Sequence, residues 1–133
     1  MIKITILNLN LVNGNHNYGG AIIATTMINI HNVTFSGNTA KEGGAIYSFK
    51  DTLLTDSKFE NNIATFGGAI YNEGFFEIQR CKFNNNNATW GGSIYSKKDV
   101  RVVNSEIRNS NSKYAPAIYA QNILLVKNSI SKN

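Results

Sequence analysis

Cysteine and long apolar runs are scarce in this chain, and their scarcity excludes several classes of protein. Cysteine occurs once, at Cys81, so no disulfide can form within the chain. No apolar run approaches the ~20 residues of a membrane-spanning helix. The start, MIKITILNLNLVNG, alternates apolar and polar residues and lacks the continuous apolar stretch of a signal peptide. We therefore expect neither a transmembrane segment nor an export signal within this sequence.

Acidic residues are also few: 8 Asp and Glu stand against 13 Lys and Arg, which gives a net charge of +5 and a pI near 9.4. A positive charge permits attraction to anionic surfaces. The cations are dispersed, however, and Lys97-Lys98 is the only adjacent pair. We interpret the charge as a solvated basic surface and expect no nucleic-acid partner.

The chain is rich in a repeat of 24 residues. A glycine-led motif recurs at that interval, as GGAII from Gly19, GGAIY from Gly43, GGAIY from Gly67, GGSIY from Gly91 and APAIY from Ala115. Apolar residues recur at the same interval. One such column is isoleucine throughout: Ile22, Ile46, Ile70, Ile94 and Ile118. A second runs Leu11, Phe35, Phe59, Phe83 and Ile107.

The stretches that hold these columns alternate apolar and polar residues, as in TILNLNL and VRVVN, which is the period of a β-strand. Each 24-residue unit therefore has about three short strands separated by Asn-, Ser- and Gly-rich turns. No unit contains a helical pattern. We predict an all-β chain, a single-stranded parallel β-helix (β-solenoid) of about five and a half coils that forms one domain over residues 1–133.

Stacked coils place equivalent side chains above one another. The unvarying isoleucine column is predicted to face the interior, so by alternation its neighbours point outward as a ladder: Tyr47, Tyr71, Tyr95 and Tyr119. Asn38, Asn62 and Asn86 share a column that we interpret as an inward-turned corner ladder. Cys81 shares a column with small residues and is interpreted as buried packing, not as a nucleophile.

Three consecutive units combine two motifs at constant spacing: FSGNTAKEGGAIY, FENNIATFGGAIY and FNNNNATWGGSIY. These units resemble the FxxN and GGA[ILV] repeats of the chlamydial polymorphic outer-membrane proteins and of adhesin-like surface proteins with pectin-lyase-like β-helices. The resemblance implies a right-handed β-helix, an extracellular or cell-surface location and a role in adhesion. It also implies either a segment of a longer repeat protein, with further coils, or a short stand-alone relative.

We expect no catalytic residues, no metal site and no cofactor. Four cross-coil charge pairs account for half of the acids: Asp56 with Arg80, Glu73 with Lys97, Glu77 with Arg101, and Lys82 with Glu106. Asp51, Glu73 and Asp99 lie near one turn, but the two aspartates are two coil rises apart, about 10 Å, too far to share a calcium ion. His16 and His31 lack partners at metal-ligand spacing.

The best candidates for ligand binding are aromatic, and they include the outward-facing tyrosine ladder of Tyr47, Tyr71, Tyr95 and Tyr119. One column, just before the glycine pairs, holds Tyr18, Phe66, Trp90 and Tyr114, with Glu42 interrupting it. If these rings are exposed, they form a stripe beside the tyrosine ladder that suits sugar rings or protein partners. The alternative is that they stack on each other and shield the glycine-rich turns.

Three functions follow from these features. The first is a non-catalytic, adhesin-like surface or secreted module, which acts in binding or as a spacer, with a glycan or protein of a host or neighbouring cell as partner. The second is a carbohydrate-active enzyme of the pectin-lyase-like class, or a fragment of one, because β-helices also host such enzymes. The third is a purely structural rod.

Overall fold

A computed structural model describes residues 3–122, 124–127 and 129–132 of the chain. Within these residues the secondary structure consists of short strands and turns, and three parallel sheets run along the molecule. The first sheet contains β1 (Lys3–Leu7), β4 (Met27–His31), β7 (Thr52–Thr55), β10 (Phe76–Gln79), β14 (Val100–Val103) and β18 (Leu124–Lys127). This arrangement confirms the predicted β-solenoid.

The second sheet contains β2 (Asn10–Val12), β5 (Thr34–Ser36), β8 (Lys58–Glu60), β11 (Lys82–Asn84), β15 (Glu106–Arg108) and β19 (Ile130–Lys132). The third contains β3 (Ile22–Ala24), β6 (Ile46–Ser48), β9 (Ile70–Asn72), β13 (Ile94–Ser96) and β17 (Ile118–Ala120). A two-stranded ribbon is formed by β12 (Asn87–Trp90) and β16 (Asn111–Tyr114). Each complete coil thus contributes one strand to each of the three long sheets.

The 24-residue repeat sets the register of every pairing. Ile4 pairs with Ile28 in the first sheet, and Ile46 pairs with Ile70 in the third. Because the pairing offset equals the repeat, identical side chains lie one above another along the solenoid. Phe35, Phe59 and Phe83 stack in this way, with ring centroids 4.6 and 4.7 Å apart and planes within 8° of parallel.

The interior is a continuous apolar column. Its buried members include the isoleucines of the third sheet, the phenylalanines of the second, and alternate residues of the first such as Leu54 and Ile78. Ala45 and Ala69, which precede the isoleucines, are fully buried as well. Since a single coil cannot enclose such side chains, the apolar residues stabilise the fold through the stacking of neighbouring coils.

The predicted asparagine ladder lies at a buried corner. Asn38, Asn62 and Asn86 have no exposed surface. The side-chain amide of Asn62 donates to the carbonyl oxygen of Phe35 at 3.2 Å and to Oδ1 of Asn86 at 3.0 Å. Its own Oδ1 accepts from the backbone N–H of Asn38 at 3.0 Å. The ladder therefore satisfies the polar groups of the turn inside the molecule, as buried groups require.

The glycine pairs allow the chain to turn into the third sheet. Gly67 has φ of 64°, and a Cβ there would lie 2.0 Å from the carbonyl oxygen of Ile70. A Cβ on Gly68 would lie 2.2 Å from the carbonyl oxygen of Gly92 in the next coil. The first glycine thus provides a left-handed backbone, and the second permits close contact between coils. In the last unit Ala115 adopts the left-handed conformation instead, with φ of 54°.

Cys81 is buried, as its column predicts, and burial raises the pKa of its thiol to about 11. The thiol donates to the carbonyl oxygen of Gln79, and the hydroxyl of Ser105 makes the equivalent bond to Val103 one coil later. Cys81 and Ser105 therefore each donate a side-chain hydrogen bond to the backbone carbonyl oxygen two residues earlier in the chain. This arrangement supports a packing role for Cys81, and the raised pKa keeps its thiol neutral.

Three of the four predicted charge pairs form. Asp56 binds Arg80 through two hydrogen bonds, of 2.9 and 3.0 Å. The other two are Glu73 with Lys97 and Glu77 with Arg101. The prediction for Lys82 and Glu106 was wrong: they are aligned in register, but Glu106 pairs with Arg108 on its own strand. Side chains two residues apart on a strand lie on the same face, so Arg108 competes directly with the cross-coil partner.

Candidate functional site

Four tyrosines at the centres of β6, β9, β13 and β17 form a ladder on the outside of the third sheet. Successive ring centroids of Tyr47, Tyr71, Tyr95 and Tyr119 are 4.8, 5.0 and 4.8 Å apart, with planes within 11° of parallel. The isoleucines before them belong to the interior, whereas the tyrosines form a cluster of their own. The ladder and its outward face are therefore as predicted.

The ladder is nevertheless covered. Tyr47 and Tyr71 are each 5% exposed and Tyr95 is 8% exposed, so these rings do not present an open surface. The expectation that the tyrosine ladder itself lies open to a ligand is wrong for these three residues. Side chains from two neighbouring columns lie over the rings and exclude water from them.

The first group of side chains that covers the tyrosine rings lies 26 residues after the tyrosines in the chain. The hydroxyl of Tyr47 donates to Oε1 of Glu73 at 3.1 Å, and Nε2 of Gln121 donates to the hydroxyl of Tyr95 at 2.8 Å. Lys97 lies 5.8 Å from the ring centroid of Tyr71 and forms an ion pair of 3.3 Å with Glu73. The hydroxyls of Tyr47 and Tyr95 therefore bind a polar side chain of the next coil, which lets a phenol be buried without losing its hydrogen bond.

The second cover is the aromatic column named in the sequence analysis. Its rings contact the tyrosine 29 residues later, edge against face. Tyr18 meets Tyr47 with centroids 5.4 Å apart, Phe66 meets Tyr95 at 5.3 Å, and Trp90 meets Tyr119 at 5.6 Å. Trp90 also stacks on Tyr114 at 4.2 Å. The stacking within this column that the alternative predicts is thus observed for Trp90 and Tyr114, and the rings of the column cover the tyrosine ladder.

The covering rings keep part of their surface open. Tyr18 is 45% exposed and Tyr114 is 40% exposed, while Phe66 and Trp90 are partly buried. Lys113 lies 5.2 Å from the ring centroid of Tyr114. We call the ladder and its covering rings, together with Phe49, the outer aromatic cluster: Tyr18, Tyr47, Phe49, Phe66, Tyr71, Trp90, Tyr95, Tyr114 and Tyr119.

Sequence reasoning missed Phe49, Glu73, Lys97 and Gln121 as parts of this site. Phe49 is exposed and tilts against Tyr47, with ring centroids 4.7 Å apart. All four residues share one column, two positions after each tyrosine. That constant offset is the signal that identifies them, because residues i and i+2 lie on one face of a strand.

Burial and neighbouring carboxylates raise the pKa values of two ladder tyrosines. For Tyr47 burial is the larger cause, and the hydrogen bond to Glu73 adds to it. For Tyr71 burial again raises the pKa, the contact with Lys97 opposes the shift, and the charge of Glu42 supports it. Glu42 takes the place of an aromatic residue in the column of covering rings. Its effect on the pKa of Tyr71 is consistent with a carboxylate near the position where a covering ring would otherwise lie.

The raised pKa values predict how the stability of the fold changes at alkaline pH. In the unfolded chain a tyrosine has its ordinary pKa of about 10, and in the fold the pKa of these two phenols is higher. Their contribution to the free energy of unfolding is therefore fully present below about pH 10 and is lost as the pH rises above that value. We expect the native chain to show less phenolate absorbance at about pH 11 than the urea-unfolded chain. Tyr47→Phe should reduce this difference. An equal difference in wild type and variant would contradict the assignment.

Asp51, Glu73 and Asp99 do not form one cluster. Glu73 contacts the outer aromatic cluster, because it accepts a hydrogen bond from Tyr47, and it pairs with Lys97. Asp51 and Asp99 instead line a cleft beside Phe75. Within the described ranges, no three His, Cys, Asp or Glu side chains are grouped closely enough to hold a metal ion.

Repeated coils, in-register columns and a covered aromatic ladder together define a β-solenoid repeat protein. The family model of the Chlamydia polymorphic membrane protein (Chlamydia_PMP) repeat matches residues 32–48, 56–73 and 80–97. These segments cover less than half of the chain and coincide with the three units that combine FxxN and GGA[ILV]. The chain therefore resembles this repeat family, whose name describes polymorphic membrane proteins of Chlamydia.

Neither the curated proteins nor the solved structures contain a match to the chain. In the described part of the chain, no helix is long and apolar enough to cross a membrane.

Proposed function

We propose that the chain is a non-catalytic, adhesin-like surface module that binds a glycan or a protein of another cell through the outer aromatic cluster. The observation that carries the proposal is the half-exposed row of aromatic rings fixed on a rigid sheet. Trp90 is held between Tyr114 and Tyr119, so its position is set before any partner arrives. Preorganised aromatic side chains lose little conformational entropy on binding.

The neighbouring surface has the mixed character of an interaction site. Exposed Tyr18 and Phe49 contact the ladder at one end, and Lys113 lies beside Tyr114 at the other. Aromatic residues with a few charges are typical of interface centres. The in-register coils make the row long and nearly straight, which suits repeated weak contacts with a cell surface.

A structural rod is the second candidate, and the burial of Tyr47, Tyr71 and Tyr95 favours it. On that interpretation, the covering rings shield the tyrosine ladder from water and bind no partner. The ion pair of Asp56 supports the non-catalytic part of the proposal, since its hydrogen bond to Arg80 lowers the pKa of the Asp56 carboxyl and makes it a poor general acid. Release of unsaturated product from a polyuronate would contradict it.

Replacing Trp90 with alanine tests the binding role. We expect affinity for cultured cells to fall at least tenfold, about 1.4 kcal/mol, because the substitution removes the partly exposed indole ring from the row. The measurement is binding of labelled chain to whole cells, with protease-treated and periodate-treated cells to separate protein from glycan partners. Val12→Ala, at an exposed apolar residue of the second sheet, is the control and should bind normally.

Circular dichroism and thermal melting must show that the Trp90→Ala variant remains folded. A variant that is less stable yet binds cells as well as wild type would favour the rod. Absence of cell binding by the wild-type chain would also contradict the proposal.

A further inference from the structure

A second surface site lies on another side of the coil, at the turn from the third sheet to the first. A cleft of about 260 Å³ is lined there by Asp51, Gly74, Phe75, Lys98, Asp99 and Asn122. Phe75 lies between Asp51 and Asp99 in one column, one coil from each. Its ring is 42% exposed. None of these residues belongs to the outer aromatic cluster.

Gly74 is part of the wall of the cleft. The equivalent positions in the neighbouring coils carry long or polar side chains: Lys50, Lys98 and Asn122. A Cβ on Gly74 would lie 2.5 Å from the carbonyl carbon of Lys50 and 2.7 Å from the backbone nitrogen of Asp51. The turns approach each other too closely for a side chain at this position, so Gly74 contributes only backbone to the wall of the cleft.

The polar groups around Phe75 include both acceptors and donors. Oδ1 of Asp51 accepts the backbone N–H of Phe75 at 2.9 Å, and its Oδ2 accepts no hydrogen bond from any residue that the structure describes. Oδ1 of Asp99 accepts from Nδ2 of Asn122 at 2.6 Å. The ammonium group of Lys98 is exposed and forms no ion pair within the described ranges. The walls therefore offer a carboxylate oxygen and an ammonium group beside an aromatic ring.

We infer that this cleft binds a neutral pyranose ring of a glycan. A pyranose has an apolar face of C–H groups, which packs on an aromatic ring, and a rim of hydroxyls that both donate and accept hydrogen bonds. Asp51 and Asp99 accept from such hydroxyls, and Lys98 donates to them. The two carboxylates disfavour an anionic sugar, and Lys98 disfavours a simple cation.

The size of the cleft supports a single ring. Ligand pockets usually measure about 300–1,000 Å³, so a cleft of about 260 Å³ is slightly smaller than that range. Phe75 is one isolated exposed ring in its column, with Asp51 and Asp99 above and below it. The site therefore fits one sugar residue of a longer glycan and does not provide a platform for a chain of stacked rings.

The test is saturation-transfer NMR with four neutral probes: the methyl glycosides of glucose, galactose, mannose and N-acetylglucosamine. We expect transfer from the wild-type chain to the ring protons of at least one probe. Phe75→Ala should weaken that binding about tenfold or more, because the packing surface is lost. Phe75→Leu, which keeps apolar volume but removes the aromatic ring, should weaken it as well.

Val12→Ala, at an exposed residue of the second sheet outside both sites, is the control and should leave glycoside binding unchanged. Equal thermal melting temperatures of wild type and the Phe75 variants show that the fold is retained. Absence of transfer to all four probes would overturn the inference, as would binding that survives in both Phe75 variants. Tighter binding of methyl glucuronide or of butylammonium would also overturn it, because either would show that a charged ligand is preferred.

Discussion

Replacing Asn62 with alanine is expected to lower the free energy of unfolding by about 3–5 kcal/mol. The substitution removes the acceptor of the Asn38 backbone N–H and side-chain amide, and the donor to the carbonyl oxygen of Phe35. These groups are buried at a corner with no access to water, so each loses a hydrogen bond without compensation. Urea denaturation of the purified variant measures the loss.

Asn87→Ala is the matched control for this prediction. Asn87 is exposed and lies one position beyond Asn86, the next member of the ladder. Its removal should change the free energy of unfolding by less than about 0.5 kcal/mol, as expected of a surface substitution. Similar losses in the two variants would show that the ladder contributes no more than a surface asparagine.

Replacing Phe59 with alanine should lower the free energy of unfolding by about 3–5 kcal/mol. Phe59 is fully buried between Phe35 and Phe83, with centroid distances of 4.6 and 4.7 Å. Its loss leaves a cavity between two coils whose spacing is fixed by backbone hydrogen bonds, so the neighbouring rings cannot close the gap. The same denaturation experiment gives the magnitude.

Phe49→Ala is the control for the effect of removing a phenyl ring. Phe49 is exposed and lies on the outside of the coil against Tyr47, so its loss creates no internal cavity. We expect it to cost less than about 1 kcal/mol. A loss at Phe59 no larger than at Phe49 would contradict a continuous apolar interior.

The fold could be predicted from the sequence because each coil of a solenoid repeats the same local structure. The interval of 24 residues fixes the pairing of Ile46 with Ile70, and with it the register of every other column. Alternation then decides which side of each strand faces the interior, as for the isoleucines and tyrosines of the third sheet. The asparagine corner followed from the same reasoning, since its column recurs at the same interval.

The candidate site was less predictable, because alternation gives the direction of a side chain and not what covers it. Tyr71 points away from the interior, yet it is buried by side chains from other columns. Those contacts run to residues 26 or 29 positions away, as between Tyr47 and Glu73 or between Trp90 and Tyr119. Such diagonal contacts depend on rotamers and coil geometry, which the spacing of residues does not specify.

The ion pair of Glu106 illustrates the same difficulty. Register places Lys82 opposite Glu106, and that alignment is observed. Arg108, two residues along the same strand, binds the carboxylate instead. Exposed ion pairs differ little in free energy, so a column alone does not select the partner.

The stacking of coils in a 24-residue register builds both the interior and the outer aromatic cluster, and NMR tests it most directly. In a sample with labelled isoleucine methyl groups and tyrosine rings, nuclear Overhauser effects report side chains within about 5–6 Å of each other, close to the spacing of neighbouring coils. In-register stacking predicts cross-peaks between Ile46 and Ile70, between Ile70 and Ile94, and between the rings of Tyr47 and Tyr71. Cross-peaks at other intervals, with none between these pairs, would contradict it.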